Sequence, residues 1–260
     1  MHLGGRTSGV SSLSMRAALK LLRGIWHVLV GWVTIYFRFP QLTQQQRDAR
    51  VQVWAMQLLR IWGIDLEVRG KPVAIGPALL VCNHISWLDI LVIHATRHCR
   101  FVSKSELRDW PVLGTLATGG GTLYIERGQR KDAMRMVKDM AKSLRNGDVL
   151  AVFPEGTTGD GMGILPFHAN LIQSAIEAET PVQPMALQFI DAKTNTISMA
   201  ARYIDDDTLL DSVWSTLNSR GLKAVVNFGE LQTAQGRDRR VWSQDLHREV
   251  SSLKRLCMEA

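Results

Sequence analysis

Three short apolar runs, each cut off by a polar segment, constrain this chain more than any other feature. Ala78–Cys82 (ALLVC), Thr122–Ile125 and Val149–Phe153 are short, apolar and bounded by turn-forming residues, as buried strands are. Between them lie stretches of helical period, at about 86–98 and at 131–145, where Met134, Val137, Met140, Ala141 and Leu144 share one face. A further helix is predicted over 169–178, strands over 182–190, 196–203 and 223–229, and a closing helix over 241–258. Strands alternating with helices predict an α/β domain over residues 67–260, with a mixed sheet flanked by helices. At 260 residues the chain has room for that single domain and an appendage, and not for two ordinary domains.

The appendage lies at the front. Behind an expected flexible N-terminus at 1–16, Gly24–Phe37 (GIWHVLVGWVTIYF) is apolar apart from His27 and Thr34. A helix crossing a membrane needs roughly 20 apolar residues, and extending this run back to Ala17 takes in Lys20 and Arg23. Arginines and lysines flank it on both sides, whereas a simple span shows a one-sided bias. Charge at both ends, with Trp26, Trp32 and Tyr36 between, fits a helix held against one anionic leaflet. A second amphipathic helix follows at 47–62, and 17–66 is read as a membrane-associated hairpin, with a single span as the alternative. No small-residue cleavage site follows Phe37, which argues against a cleaved signal peptide. Three scattered cysteines, Cys82, Cys99 and Cys257, fit reduced thiols and a catalytic domain on the cytosolic face of the cytoplasmic membrane.

The polar segments that end the runs carry the chemistry. Ligands of open α/β sheets bind outside the carboxyl ends of the strands, so NHISWLD at 83–89, GTLYIER at 121–127 and FPEGTTGDG at 153–161 converge on one edge. His84 and Asp89 lie about 140° apart on a regular helix and cannot meet there. They meet if His84 sits in the turn after the strand and curls back over the first helical turn, which Ser86 can cap. Asp89 then fixes the tautomer of His84, whose other nitrogen takes a proton. No G-x-S-x-G elbow is present and Cys82 is expected to be buried, so the pair suits direct activation of a substrate hydroxyl.

Arg127 at a strand end suits bidentate contact with a phosphate, and Lys104 adds a point charge. Glycines 156, 159, 161 and 163 allow backbone N–H groups to face an anion, although Met162 stands where a Walker loop has lysine. Glu155 is expected to orient Arg127 or to accept a hydrogen bond from a substrate hydroxyl.

In order and spacing these segments resemble the 1-acylglycerol-3-phosphate acyltransferases among the glycerolipid acyltransferases, over roughly residues 70–190. The matching positions are Asn83, His84, Ser86 and Asp89; Lys104, Glu106, Leu107, Pro111 and Gly114; Gly121, Tyr124, Ile125 and Arg127; Phe153 through Thr157; and Pro181–Pro184. The resemblance implies that His84 deprotonates the acceptor hydroxyl for attack on an acyl-CoA or acyl-carrier-protein thioester, with Asp89 orienting it. It implies an acceptor site built from Asn83, Ser86, Lys104, Gly121, Arg127, Glu155, Gly156 and Thr157, a hairpin lying in the membrane, and no metal or organic cofactor. The implied partners are a lysophospholipid, first of all 1-acylglycerol 3-phosphate, an acyl thioester and an anionic membrane surface, but not nucleic acid.

Two departures bear on the acceptor. Thr158 stands where many members have arginine, and His168, Ala169 and Asn170 stand near Phe167 where many have lysine and glycine. Both remove positive charge, and F-P-E-G-T-T-x-D-G also resembles relatives that acylate lyso-ornithine lipid, a phosphorus-free acceptor. Two readings from other classes are a zinc hydrolase using His84, Asp89, His94 and His98, and a non-catalytic membrane or nucleic-acid binder resting on the net charge of +7. No basic stripe interleaved with aromatic residues favours nucleic acid.

Overall fold

Thr43 begins a helix three residues before the position predicted. Its hydroxyl accepts from the Gln46 N–H while the Gln46 side chain accepts from the Thr43 N–H, a reciprocal cap. In the computed structural model, which describes residues 15–125, 130–204 and 207–259, this helix is α2 (Gln44–Trp62), preceded by α1 (Met15–Phe37) and a 3-10 turn at Phe39–Gln41. The flexible N-terminus expected at 1–16 falls almost wholly outside the described residues, and Arg127 lies outside them too.

The two helices form the expected hairpin because α1 has glycines where they must approach. A Cβ on Gly24 would stand 2.4 Å from the Trp62 indole nitrogen, and one on Gly31 2.5 Å from that of Trp54. Seven residues apart, these glycines seat α1 on two tryptophan rings, and Trp54 and His27 exchange side-chain to backbone hydrogen bonds across the joint.

The domain then runs through β1 (Asp65–Arg69), β2 (Ala78–Cys82), α3 (Leu88–Thr96), β3 (Arg100–Lys104), α4 (Leu113–Gly119) and β4 (Leu123–Ile125). It continues through α5 (Arg130–Arg145), β5 (Val149–Val152), α6 (Asn170–Glu177), β6 (Val182–Asp191) and β7 (Thr196–Ile197), and closes with α7 (Leu209–Asn218), β8 (Leu222–Phe228) and α8 (Arg239–Leu256). The strand order is β1-β8-β6-β2-β5-β3-β4, with β7 beside β6. From β6 to β4 the pairs are parallel, β8 runs antiparallel to β6, and β1 is parallel to β8, so the sheet is mixed as expected.

Both faces of the sheet are covered, and β2 shows why it reads as an unbroken apolar run. Its Ala78, Leu80 and Cys82 share a core with Leu58 and Leu59 of α2 and Leu88 and Val92 of α3. Leu79 and Val81 point the other way, into a core with Met140 of α5, Ile172 of α6 and Trp242 and Leu246 of α8. Burying each such leucine or isoleucine contributes about 1.5–3 kcal/mol before the entropy of ordering it. Since α2 contributes to the core, and β1 begins at Asp65, the hairpin and the sheet are not separable at residue 66.

Some expected elements change. The helix predicted at 86–98 starts at Leu88, because the backbone N–H groups of Ile85 and Ser86 turn inward to Asp89 instead. Of the strand predicted at 196–203 only Thr196–Ile197 pairs; after the bond from Ser198 N to Phe189 O the chain leaves the sheet. The strands β1 and β3 and the helices α4 and α7 were not anticipated. The first two are polar at most positions, and β1 lies at the sheet edge.

Candidate active site

The carboxyl ends of β2, β3 and β5 open on one cleft of about 310 Å³. His84, Lys104, Leu107, Trp110, Phe153 and Gly156 are among its lining residues. The Asn83 side chain explains how the chain leaves β2 so sharply. Its Oδ1 accepts from Leu187 N at 2.8 Å and its Nδ2 donates to Leu187 O at 3.0 Å, extending the pairing of β2 with β6 by one side chain. Expected among the acceptor-binding residues, Asn83 is buried with both amide atoms spent on the sheet.

Released from the sheet, His84 turns back over the start of α3. Its Nδ1 lies 2.8 Å from Asp89 Oδ2, and the same oxygen accepts from Ile85 N at 2.7 Å and Ser86 N at 2.9 Å. The Asp89 carboxylate is fully buried. With Nδ1–H donated to a carboxylate, Nε2 keeps its lone pair, and no described residue hydrogen-bonds to it. Ser86 stands one residue ahead of the helix cap at Trp87; its Oγ accepts from Leu88 N and is buried.

The loop after β5 is fastened to this turn. Glu155 is buried, and its two oxygens accept from His84 N at 2.7 Å and Leu165 N at 2.6 Å. Burial pushes its carboxyl above the usual range, while those two N–H groups pull it back down. The expected contact with Arg127 lies outside the described residues, and the geometry present makes Glu155 a strut between the loop and the histidine turn. Gly159 N adds a bond to His84 O at 2.8 Å, and the Thr158 hydroxyl donates to Tyr203 O. At Gly156 the backbone is left-handed (φ 74), and a Cβ would meet the His168 ring at 3.0 Å. Thr157 is exposed beside it.

Lys104 ends β3, exposed on the rim of the cleft. Gly121 is instead a turn residue: its φ is 81 and its carbonyl accepts from Arg100 Nε at 2.7 Å, beneath β4. Cys82 is fully buried, and burial holds its thiol well above the ordinary range, so it offers no thiolate.

The four residues of the zinc-hydrolase reading divide into two groups. His94 packs edge-on against Phe101 at 5.0 Å, Phe101 faces Phe153 at 5.8 Å, and only then comes His84. His98 bonds Gly120 O at 3.1 Å and lies 3.5 Å from Asp48. Among the described residues no three His, Cys, Asp or Glu side chains converge.

His94 is buried with its Nδ1 unpartnered, and burial pulls it down to about 3, with the neighbouring His98 adding to the effect. The unfolded chain therefore binds more protons between about pH 6.5 and 3, and stability falls as pH drops through that window. The expected loss from this residue is about 2 kcal/mol at pH 5 relative to pH 8. Chemical unfolding of His94→Leu at both pH values is expected to show a correspondingly shallower loss than the wild-type protein.

Comparison with known proteins identifies the family and the fold. The acyltransferase family model matches residues 65–188. A lyso-ornithine lipid O-acyltransferase of Pseudomonas aeruginosa is 32% identical over 88% of this chain and 86% of its own length. A 1-acyl-sn-glycerol-3-phosphate acyltransferase of Neisseria meningitidis is 36% identical over 71% of this chain and 72% of its own. The crystal structure of the 1-acyl-sn-glycerophosphate acyltransferase PlsC of Thermotoga maritima shares the fold at a TM-score of 0.66, covering 93% of this chain and 98% of that one at 16% identity.

Proposed function

The chain belongs to the acyltransferase family, whose members include the 1-acyl-sn-glycerol-3-phosphate acyltransferases, and from that membership we propose that it acylates the free hydroxyl of a lysophospholipid. The observation that carries the mechanism is the His84 imidazole, anchored through Nδ1 to a buried carboxylate with Nε2 open to the cleft. Nε2 takes the acceptor hydroxyl proton as that oxygen attacks the thioester carbonyl. Collapse of the tetrahedral adduct breaks the C–S bond, and the imidazolium returns the proton to the leaving thiolate. Asp89 stabilises the imidazolium meanwhile, and the step requires no metal, organic cofactor or acyl-enzyme. Acyl-CoA and acyl-carrier protein both satisfy it as donors.

For the acceptor, 1-acylglycerol 3-phosphate is the first reading, with Lys104 on the cleft rim and, from the family resemblance, Arg127 as the residues proposed to bind its phosphate. A specific observation favours lyso-ornithine lipid as the second. Thr158, where relatives place a cation, is turned away to Tyr203, and Lys104 is the sole lysine or arginine among the described residues lining the cleft. Purified protein in detergent, given a labelled acyl thioester and each acceptor in parallel, tests both. Turnover of the phosphate acceptor supports the first, and turnover of the ornithine lipid alone reassigns the head-group pocket. Turnover of neither contradicts the function.

The packing and exposed face of α1 support a site working at a membrane surface. At 23 residues it is long and apolar enough to cross one, but it lies along the domain, packed on α2 and, through Ile35 against Gly119, on α4. A spanning orientation would draw that domain into the bilayer. Leu22, Trp26, Val33 and Phe37 instead expose one apolar stripe at helical spacing, suited to the head-group boundary of a cytosolic, anionic leaflet. Trp26→Glu with Phe37→Glu is expected to lower co-sedimentation with anionic vesicles at least tenfold while leaving the thermal unfolding midpoint within a few degrees.

A further inference from the structure

The His84 ring lies flat on the ring of Phe153, with centroids 3.9 Å apart and planes 9° from parallel. No other described ring stacks on His84. Phe153 follows the last residue of β5, in the strand next to β2, and Gly156 N bonds its carbonyl at 3.1 Å. Its ring is in turn backed by Phe101 of β3 at 5.8 Å and 18°. Asp89 holds the imidazole at one edge atom, Nδ1, and a flat partner against the ring face limits the remaining tilt that would carry Nε2 out of line.

We infer that Phe153 is a positioning residue for acyl transfer, setting the plane of the imidazole and so the direction in which the Nε2 lone pair meets the acceptor hydroxyl. This rests on the reading of His84 as the base.

The test is steady-state acyl transfer by full-length Phe153→Met, Phe153→Tyr, Leu144→Ala and His84→Ala, each with its thermal unfolding midpoint. Methionine keeps the volume and removes the flat face. The expected result for F153M is a kcat lower by roughly 10- to 100-fold, since misplacement by an ångström costs that much, with KM for both substrates within about threefold. F153Y, which keeps the ring, restores kcat to within about threefold. L144A, in α5 and buried in the core on the other face of the sheet, loses unfolding midpoint at least as much and keeps kcat.

If Phe153 were only a wall of the cleft, F153M would raise KM and spare kcat, and that result overturns the inference. So does a fall in kcat that L144A matches at equal loss of unfolding midpoint. Full activity in H84A removes the underlying reading instead. Activity lost in H84A but kept in F153M retires the Phe153 role alone.

Discussion

Replacing His84 by alanine is expected to lower kcat for acyl transfer by about 10²–10⁴-fold, the span that a positioned general base contributes. On the proposed mechanism the effect falls on kcat, since the imidazole would act on the hydroxyl proton in the transition state while Lys104 and the apolar walls of the cleft remain to bind the substrates. Folding is expected to survive. The side chain retains 18% of its exposure, and its anchoring partners reach the backbone of the turn as well as the ring. The residual rate measures what proximity alone supplies once a thioester and a hydroxyl share the cleft.

Asp89 is expected to show the opposite balance, a large effect on folding as well as on rate. One oxygen holds the imidazole and two backbone N–H groups in a fully buried position. Asp89→Ala strands both N–H groups away from water, at about 1–3 kcal/mol each, and frees the histidine to rotate. The expected result is a stability loss of about 2–5 kcal/mol by denaturant titration and an activity loss approaching that of His84→Ala. Asp89→Asn separates the two roles. Its amide oxygen still accepts from Ile85 and Ser86, so most of the stability returns. The charge that stabilises the imidazolium is gone, and kcat is expected to stay down by about 10²-fold. Because the pair acts as a unit, the double variant His84→Ala/Asp89→Asn is expected within about threefold of His84→Ala alone. Multiplied losses would show that the two residues act independently.

The meeting of His84 and Asp89 was legible in the residues because a fully apolar strand stops at Cys82 and a helical pattern begins a few positions later. Only a tight turn fits between them, and it brings the two together. The hairpin was legible too, from an apolar run with charge at both ends, although the glycines that seat it on Trp54 and Trp62 carry no signal until the partner helix is placed. The duty of Glu155 was not legible. Sequence shows a carboxylate in a glycine-rich loop, which suggests a substrate contact, whereas its oxygens are taken by the N–H groups of His84 and Leu165, neither predictable from spacing. The same holds for Asn83 and Leu187, 104 residues apart. Phe153 read as the end of a strand, and its stacking on His84 follows only from β5 lying beside β2. In the strand β3 only Phe101 is buried and three of the five residues are polar, so no apolar run marks the segment that delivers Lys104 to the cleft.

Acyl transfer is proposed to be direct: the acceptor hydroxyl, activated by His84, attacks the thioester with no acyl group resting on the protein. The most direct test is rapid mixing of the purified protein with labelled acyl thioester in the absence of acceptor, followed by quenching and measurement of released thiol and of label bound to protein. Neither is expected above background until the lysolipid is added, and then thiol and acylated lipid appear in equal amounts at a rate that His84→Ala lowers by about 10²–10⁴-fold. A stoichiometric burst of thiol with labelled protein before any acceptor is present would contradict it and point to a nucleophile on the chain.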